Sequence, residues 1–176
     1  MRIEREHTAA IVVDYQEKLV PVMSDKEQLI HNSEILLKGL KILEVPMYIT
    51  QQYTKGLGTS VKEITDAVED TAYTDKLSFT AYDCVADKFS SKKYIIVCGI
   101  EAHICVLQTV IDLKAAGFVP VLVADCISSR KESDKQVAIE RARQEGAIVT
   151  TYESLLFELL KVAGTETSKK IQKLIR

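Results

Sequence analysis

Three residues of this chain supply a thiol, a carboxylate and an ammonium, and each stands at or just past a stretch that reads as a strand. Cys105 lies where the β-branched, apolar run Tyr94-Ile95-Ile96-Val97-Cys98 gives way, through a break at Gly99, to a helix. Asp14 follows Thr8-Ala9-Ala10-Ile11-Val12-Val13, and Lys76 follows a weakly alternating segment at 71–74. Together the three make a set for nucleophilic catalysis without histidine. The carboxylate takes the thiol proton and the ammonium steadies both charges. A thiol at a helix N-terminus is biased toward thiolate, and the free N–H groups there suit an oxyanion. Each residue alone also has a plainer reading: a buried packing cysteine, a turn or N-cap aspartate, a surface lysine.

The elements that must position these residues alternate along the chain. Residues 24–44 predict a helix, with Ser24 and Glu27 as a capping box and a wide apolar face of Leu29, Ile30, Leu36, Leu37, Leu40 and Leu43. Residues 46–50 predict a strand, 51–58 a loop, and Ser60 with Glu63 a second capping box before a short helix. Residues 81–91 read as a polar helix or loop. After the central strand, Ile104, Leu107, Ile111 and Ala115 recur at helical spacing up to Gly117. A strand at 119–124, a loop at 125–130, a helix at 133–145 capped by Ser133, a strand at 147–150 and a helix at 152–161 follow. Buried strands alternating with helices imply a parallel sheet covered on both faces. Right-handed crossovers then bring every carboxyl end, and so Asp14, Lys76 and Cys105, to one side.

Composition narrows the function classes. A chain of 176 residues suits one α/β domain. A formal net charge of -2 carries no nucleic-acid footprint. No apolar run reaches membrane-spanning length. Residues 1–6 are charged and lack an apolar signal-like region. A cytoplasmic protein with reduced Cys84, Cys98, Cys105 and Cys126 is therefore expected. The basic C-terminal stretch 168–176, with Ile171, Leu174 and Ile175 on one side, is expected either to cap its own domain or to dock on a neighbour.

Taken in order, three segments resemble the isochorismatase-like cysteine hydrolases, a family that includes nicotinamidases, N-carbamoylsarcosine amidases and isochorismatases. Val12-Val13-Asp14-Tyr15-Gln16 is similar to the family's V-D-x-Q strand end, and Asp75-Lys76-Leu77-Ser78-Phe79 to its K-x-x-F segment. Cys98-Gly99-Ile100-Glu101-Ala102-His103-Ile104-Cys105-Val106 is similar to its nucleophile turn, and the likeness extends through Ala124-Asp125 and Ser128-Ser129-Arg130.

The resemblance implies a three-layer α/β/α, Rossmann-like fold with a six-stranded, mostly parallel sheet of order 3-2-1-4-5-6. It implies Cys105 as nucleophile, Asp14 as general base and Lys76 as the group that steadies thiolate and orients the base. It further implies a cis peptide between Ile100 and Glu101, with the backbone amides of Glu101 and Cys105 facing the oxyanion. Gln16, Tyr53, Phe79 and Ile104 flank these motifs and are the expected substrate-lining residues. Nicotinamidases carry an Asp-x-His metal cluster after the second strand, where this chain reads Gln51-Gln52-Tyr53. With only His7, His31 and His103 available, no metal and no cofactor are expected. Glu101 and His103 occupy turn positions that vary among family activities. The expected activity is hydrolysis of a small amide, imide or related C–N substrate through a thioester, by a homo-oligomer that binds neither nucleic acid nor membrane. A silent scaffold on the same fold and a thiol redox protein are the alternatives. Isochorismate, a dianion, is not expected, since no basic pair near the crevice is legible apart from Lys76 with Arg130.

Overall fold

In the computed structural model, which describes residues 1–176, six strands form one sheet of order β3-β2-β1-β4-β5-β6. They are β1 (Thr8–Val13), β2 (Met47–Gln52), β3 (Tyr73–Lys76), β4 (Tyr94–Ile100), β5 (Val119–Ser128) and β6 (Ile148–Thr150). Every pairing is parallel, so all carboxyl ends share one edge, as the alternation of elements requires. Both faces of the sheet are covered. Ala10 and Val12 of β1 join a core completed by α1 (Lys26–Ile42), α7 (Tyr152–Leu160) and α8 (Glu166–Ile175). Ala9, Ile11 and Val13 join a second core under α5 (Leu107–Ala115) and α6 (Glu132–Gln144). That double burial is why β1 reads as an unbroken apolar run rather than an alternating one. Leu36, Leu37 and Leu40 of α1 are fully buried, each contributing about 1.5–3 kcal/mol of transfer free energy. No helix is long and apolar enough to cross a membrane.

Three shorter helices complete the chain: α2 (Thr54–Leu57) and α3 (Lys62–Val68) between β2 and β3, and α4 (Tyr82–Val85) after β3. The helix starts differ from the sequence pattern. Neither capping box forms. Ser24 instead donates its hydroxyl to the Ser129 carbonyl at 2.9 Å, and α1 starts at Lys26 after a left-handed Asp25. Ser60 accepts from the Gln51 side-chain amide at 3.0 Å, and α3 starts after Val61. Ser133 lies inside α6, which begins at Glu132. Serines near the site are taken up by tertiary hydrogen bonds, which outrank local caps. Caps form instead at Thr151 and Thr165, which accept from the backbone N–H groups of Ser154 and Ser168.

Strand ends also move. β2 runs on to Gln52, and β3 pairs Gln52 with Lys76, so Lys76 ends a strand rather than following one. Gly99 does not break β4. It stays in the strand at φ 132°, where a Cβ would stand 2.1 Å from the carbonyl oxygen of Val13. β5 continues to Ser128 past a register shift, with Val97 opposite Leu122 but Gly99 opposite Ile127. The C-terminal helix α8 caps its own fold. Ile171 is fully buried, and Leu174 and Ile175 pack on the α1 side of the sheet.

Candidate active site

The register of the sheet brings the three motifs together. Val13 pairs with Thr50 on β2 and with Gly99 on β4, so Asp14 emerges between the ends of both strands. Its backbone is left-handed, at φ 53°, a region that aspartate and asparagine enter more readily than other side chains. The carboxylate is fully buried. Thr50 donates its hydroxyl to Oδ1 at 2.9 Å. Oδ2 lies 2.7 Å from Lys76 Nζ, with the two side chains 0% and 1% exposed. Burial pushes the Asp14 carboxyl above its usual range, opposed by the Lys76 charge and by hydrogen bonds that include one with Cys105.

Lys76 is held by more acceptors than it has protons. Besides Asp14, Nζ meets Gln52 Oε1 at 2.6 Å, the Phe79 carbonyl at 2.9 Å and the Ser78 carbonyl at 3.2 Å. The two carbonyls belong to the turn that follows β3. A lysine is rarely buried; this one is buried because its surroundings replace the hydration it gives up.

Cys105 sits within a π-helical turn, Ala102–Val106, that leads into α5. It is 6% exposed. Burial, then the Asp14 charge, push its thiol up to about 12, with Lys76 opposing. The expectation of a resting thiolate is therefore reversed. The position is too enclosed for dipole effects to offset desolvation, so the thiol is neutral until a base takes its proton. Its carbonyl accepts from the Thr109 hydroxyl at 2.7 Å, and Thr109 accepts from the Ala81 N–H at 2.8 Å. The turn that carries Cys105 is thereby pinned to the segment that follows Phe79.

The Ile100–Glu101 peptide bond is cis. The N–H groups of Glu101 and Ala102 donate to no backbone carbonyl. The Glu101 carboxylate accepts from Arg130 N and Nε, both at 3.1 Å. His103 Nδ1 is 2.9 Å from Ser129 Oγ. His7 and His31 are exposed, and nowhere do three metal-ligating side chains converge.

The expected substrate-lining residues divide. Gln16 is fully buried. Its amide clamps the end of β2, accepting from Gln52 N at 2.6 Å and donating to the carbonyls of Gln52 at 3.0 Å and Gly58 at 2.8 Å. Tyr53 is half exposed, with its ring against Gly56. Phe79 is 54% exposed and joins the site through its carbonyl. Ile104, next to the nucleophile, is half-buried against the second core.

Gln52, Thr50 and Thr109 belong to the site and were not anticipated from the motifs. Thr50 and Gln52 stand two residues apart on β2, hence on one face of the sheet beside Asp14. Thr109 lies one helical turn past Cys105, the spacing for a hydroxyl that bonds back to the i−4 carbonyl. A separate polar cleft lined by Ser24, Asp25, Asn32, Asp125 and Lys135 includes no member of the trio.

Comparison with known proteins finds relatives over nearly the whole chain. The Isochorismatase domain model matches residues 8–154. The human isochorismatase domain-containing protein 2 is 36% identical over 164 residues, covering 93% of this chain and 80% of that protein. The secreted isochorismatase effector Isc1 of Phytophthora sojae is 33% identical over 183 residues, covering 99% of this chain and 87% of that protein. Among solved structures, one described as the MAR1 ribonuclease of Caenorhabditis elegans superposes with a TM-score of 0.94 at 35% identity, covering 99% of this chain and 92% of that one. On the matched domain and this degree of identity over nearly its whole length, the chain belongs to the isochorismatase family.

Proposed function

We propose that this chain is a cysteine hydrolase that cleaves a small amide, imide or related C–N substrate through a thioester on Cys105. The observation that carries this reading is the buried Asp14–Lys76 pair, 2.7 Å apart, close enough to the Cys105 thiol for the Asp14 charge to raise it and the Lys76 charge to oppose. Two opposite charges out of water cost several kcal/mol each to desolvate and are a poor device for stability alone. Beside a nucleophile they are a proton acceptor with its counter-charge.

In this mechanism the Sγ–H bond breaks as Sγ bonds to the substrate carbonyl carbon, and the proton passes to Asp14. The carbonyl electrons move to oxygen, where the N–H groups of Glu101 and Cys105 receive the oxyanion. Asp14 returns the proton to the leaving nitrogen, the C–N bond breaks, and the acyl group remains on Sγ. A water, deprotonated by Asp14, then attacks the thioester, releases the acid and restores the thiol. Lys76 stays protonated and offsets the negative charge that moves between Sγ and Asp14.

A panel of small primary amides and imides, with acid-quenched intact-mass measurement, tests this. Release of ammonia or amine with an acyl adduct on Cys105, both lost in Cys105→Ala, is expected. Turnover unchanged in Cys105→Ala would overturn it. Cleavage of RNA is a second reading, favoured by the similarity to the Caenorhabditis elegans protein. The net charge of -2 speaks against a polyanionic substrate. RNA cleavage by the wild type, lost in Cys105→Ala, would establish that reading in place of the first.

A further inference from the structure

Thr109 is fully buried on α5, and its hydroxyl has two partners. It donates to the Cys105 carbonyl at 2.7 Å and accepts from the Ala81 N–H at 2.8 Å. Neither role can be reversed, because a carbonyl only accepts and an N–H only donates. The hydroxyl therefore bridges two parts of the chain. Cys105 lies one helical turn before it, and Ala81 ends the segment between β3 and α4. No backbone hydrogen bond joins residues 77–81 to residues 101–115, so this side chain is their one hydrogen-bonded link.

The same segment holds the ammonium. Lys76 Nζ donates to the Phe79 carbonyl at 2.9 Å and to the Ser78 carbonyl at 3.2 Å, and stands 2.7 Å from Asp14 Oδ2. The segment is tied to itself as well. Ser78 Oγ donates to the Thr80 carbonyl at 3.1 Å, and Thr80 Oγ1 accepts from Tyr82 N at 3.2 Å. A shift at Ala81 is therefore passed to the two carbonyls that hold Lys76. Packing alone would not ask for a hydroxyl here, since valine has nearly the same shape; the oxygen is there for its two bonds.

We propose that Thr109 is a positioning residue for the trio: its hydroxyl fixes the carbonyls of Ser78 and Phe79 relative to the Cys105 turn, and so holds Lys76 where it keeps Asp14 ionised to take the Cys105 proton. This rests on Asp14 being the base. The titratable groups that face Asp14 are Lys76 from β3, Cys105 from the π-helical turn and Cys84 from α4. Asp75, beside Lys76 on β3, is occupied by Thr54. The Lys76 charge lowers the Asp14 carboxyl against the effect of burial, so a displaced ammonium leaves that carboxyl higher.

Alkylation of Cys105 by iodoacetamide reads this out without a known substrate. Asp14 takes the thiol proton, Sγ bonds to the methylene carbon and iodide leaves. The rate rises along a pH limb set by Asp14. In Thr109→Val the bridge is lost and the Ala81 N–H is left without its acceptor. The limb is expected to move up by about one pH unit, and the rate at pH 7 to fall about threefold to tenfold. Thr109→Ser keeps the hydroxyl and should restore the wild-type profile. Thr109→Ala, a better helix former, should shift as Thr109→Val does and decides the matter if the valine variant does not fold. A wild-type profile in the folded valine or alanine variant, with only the unfolding midpoint lowered, would assign Thr109 to the fold alone and overturn the inference. A Thr109→Ser profile displaced as far as that of Thr109→Val would overturn it too. Asp14→Asn separates the two levels. If its profile equals the wild type, the base assignment falls and this inference falls with it. If it loses the limb while Thr109→Val leaves the limb unmoved, this inference alone falls.

Discussion

Gly99 lies so close to Val13 that a methyl group on it would stand 2.1 Å from the Val13 carbonyl oxygen. The contact joins β4 to β1 one residue before Asp14 and two before Glu101. Gly99→Ala must either push the strands apart or leave a φ of 132° that an L side chain rarely adopts. A loss of about 1–3 kcal/mol in urea unfolding is expected, together with slower alkylation of Cys105 in the folded fraction. A variant as stable and as reactive as the wild type would show that this approach of strands is not needed.

Burial that pushes the Cys105 thiol up to about 12 leaves roughly one thiolate in 10⁵ molecules at pH 7 if the thiol titrates alone. Reactivity at neutral pH then requires Asp14. Because the Asp14 carboxyl is raised above its usual range, the rate should fall as pH drops through that raised value and the base becomes protonated. Asp14→Asn should slow mass-mapped iodoacetamide labelling of Cys105 by about 10²–10⁴-fold. In the wild type, Cys105 should label before Cys98 and Cys126, which are fully buried.

Removing Lys76 leaves Asp14 as a buried, uncompensated carboxylate. Lys76→Met should cost about 3–5 kcal/mol at neutral pH. Without the ammonium, the folded-state value of Asp14 rises further above the unfolded one, so the native state binds protons first. The loss should therefore shrink as pH falls through the raised folded value toward the unfolded value of about 4. Urea unfolding at neutral and acidic pH checks this. The double variant Asp14→Asn with Lys76→Met should be more stable at neutral pH than Lys76→Met alone, since no charge is left stranded.

Gln16→Leu keeps the apolar volume and removes the clamp on β2. It leaves Gln52 N–H and the carbonyls of Gln52 and Gly58 without their side-chain partners, at about 1–3 kcal/mol for each group that stays buried. Faster hydrogen exchange at Gln52 is the expected signature. Unchanged exchange there would mean the loop closes without Gln16.

Much of this architecture is legible in the residues themselves. The apolar run of β1, the helical spacing in α1 and the order of the motifs lead to the sheet and to the trio. What stays hidden depends on partners distant in sequence. Ser24 looks like a cap until Ser129, brought from the end of β5, takes its hydroxyl. Gln16 sits in a motif yet serves as a clamp, because only the fold shows that its amide faces Gln52 and Gly58. The Cys105 thiol looks activated from its place before a helix, and only its enclosure shows the opposite. Gly99 looks like a strand breaker because no local pattern reveals that β1 passes so near.

The left-handed backbone of Asp14 bears on how this position can drift over generations. Asparagine and glycine keep the backbone comfortable but bring no proton acceptor. Glutamate brings the acceptor but adds a methylene inside a closed core. No replacement meets both demands, so position 14 has no neutral neighbour in sequence space. A descendant that has given up the chemistry while keeping the fold should reveal itself here first, by carrying asparagine or glycine at this strand end.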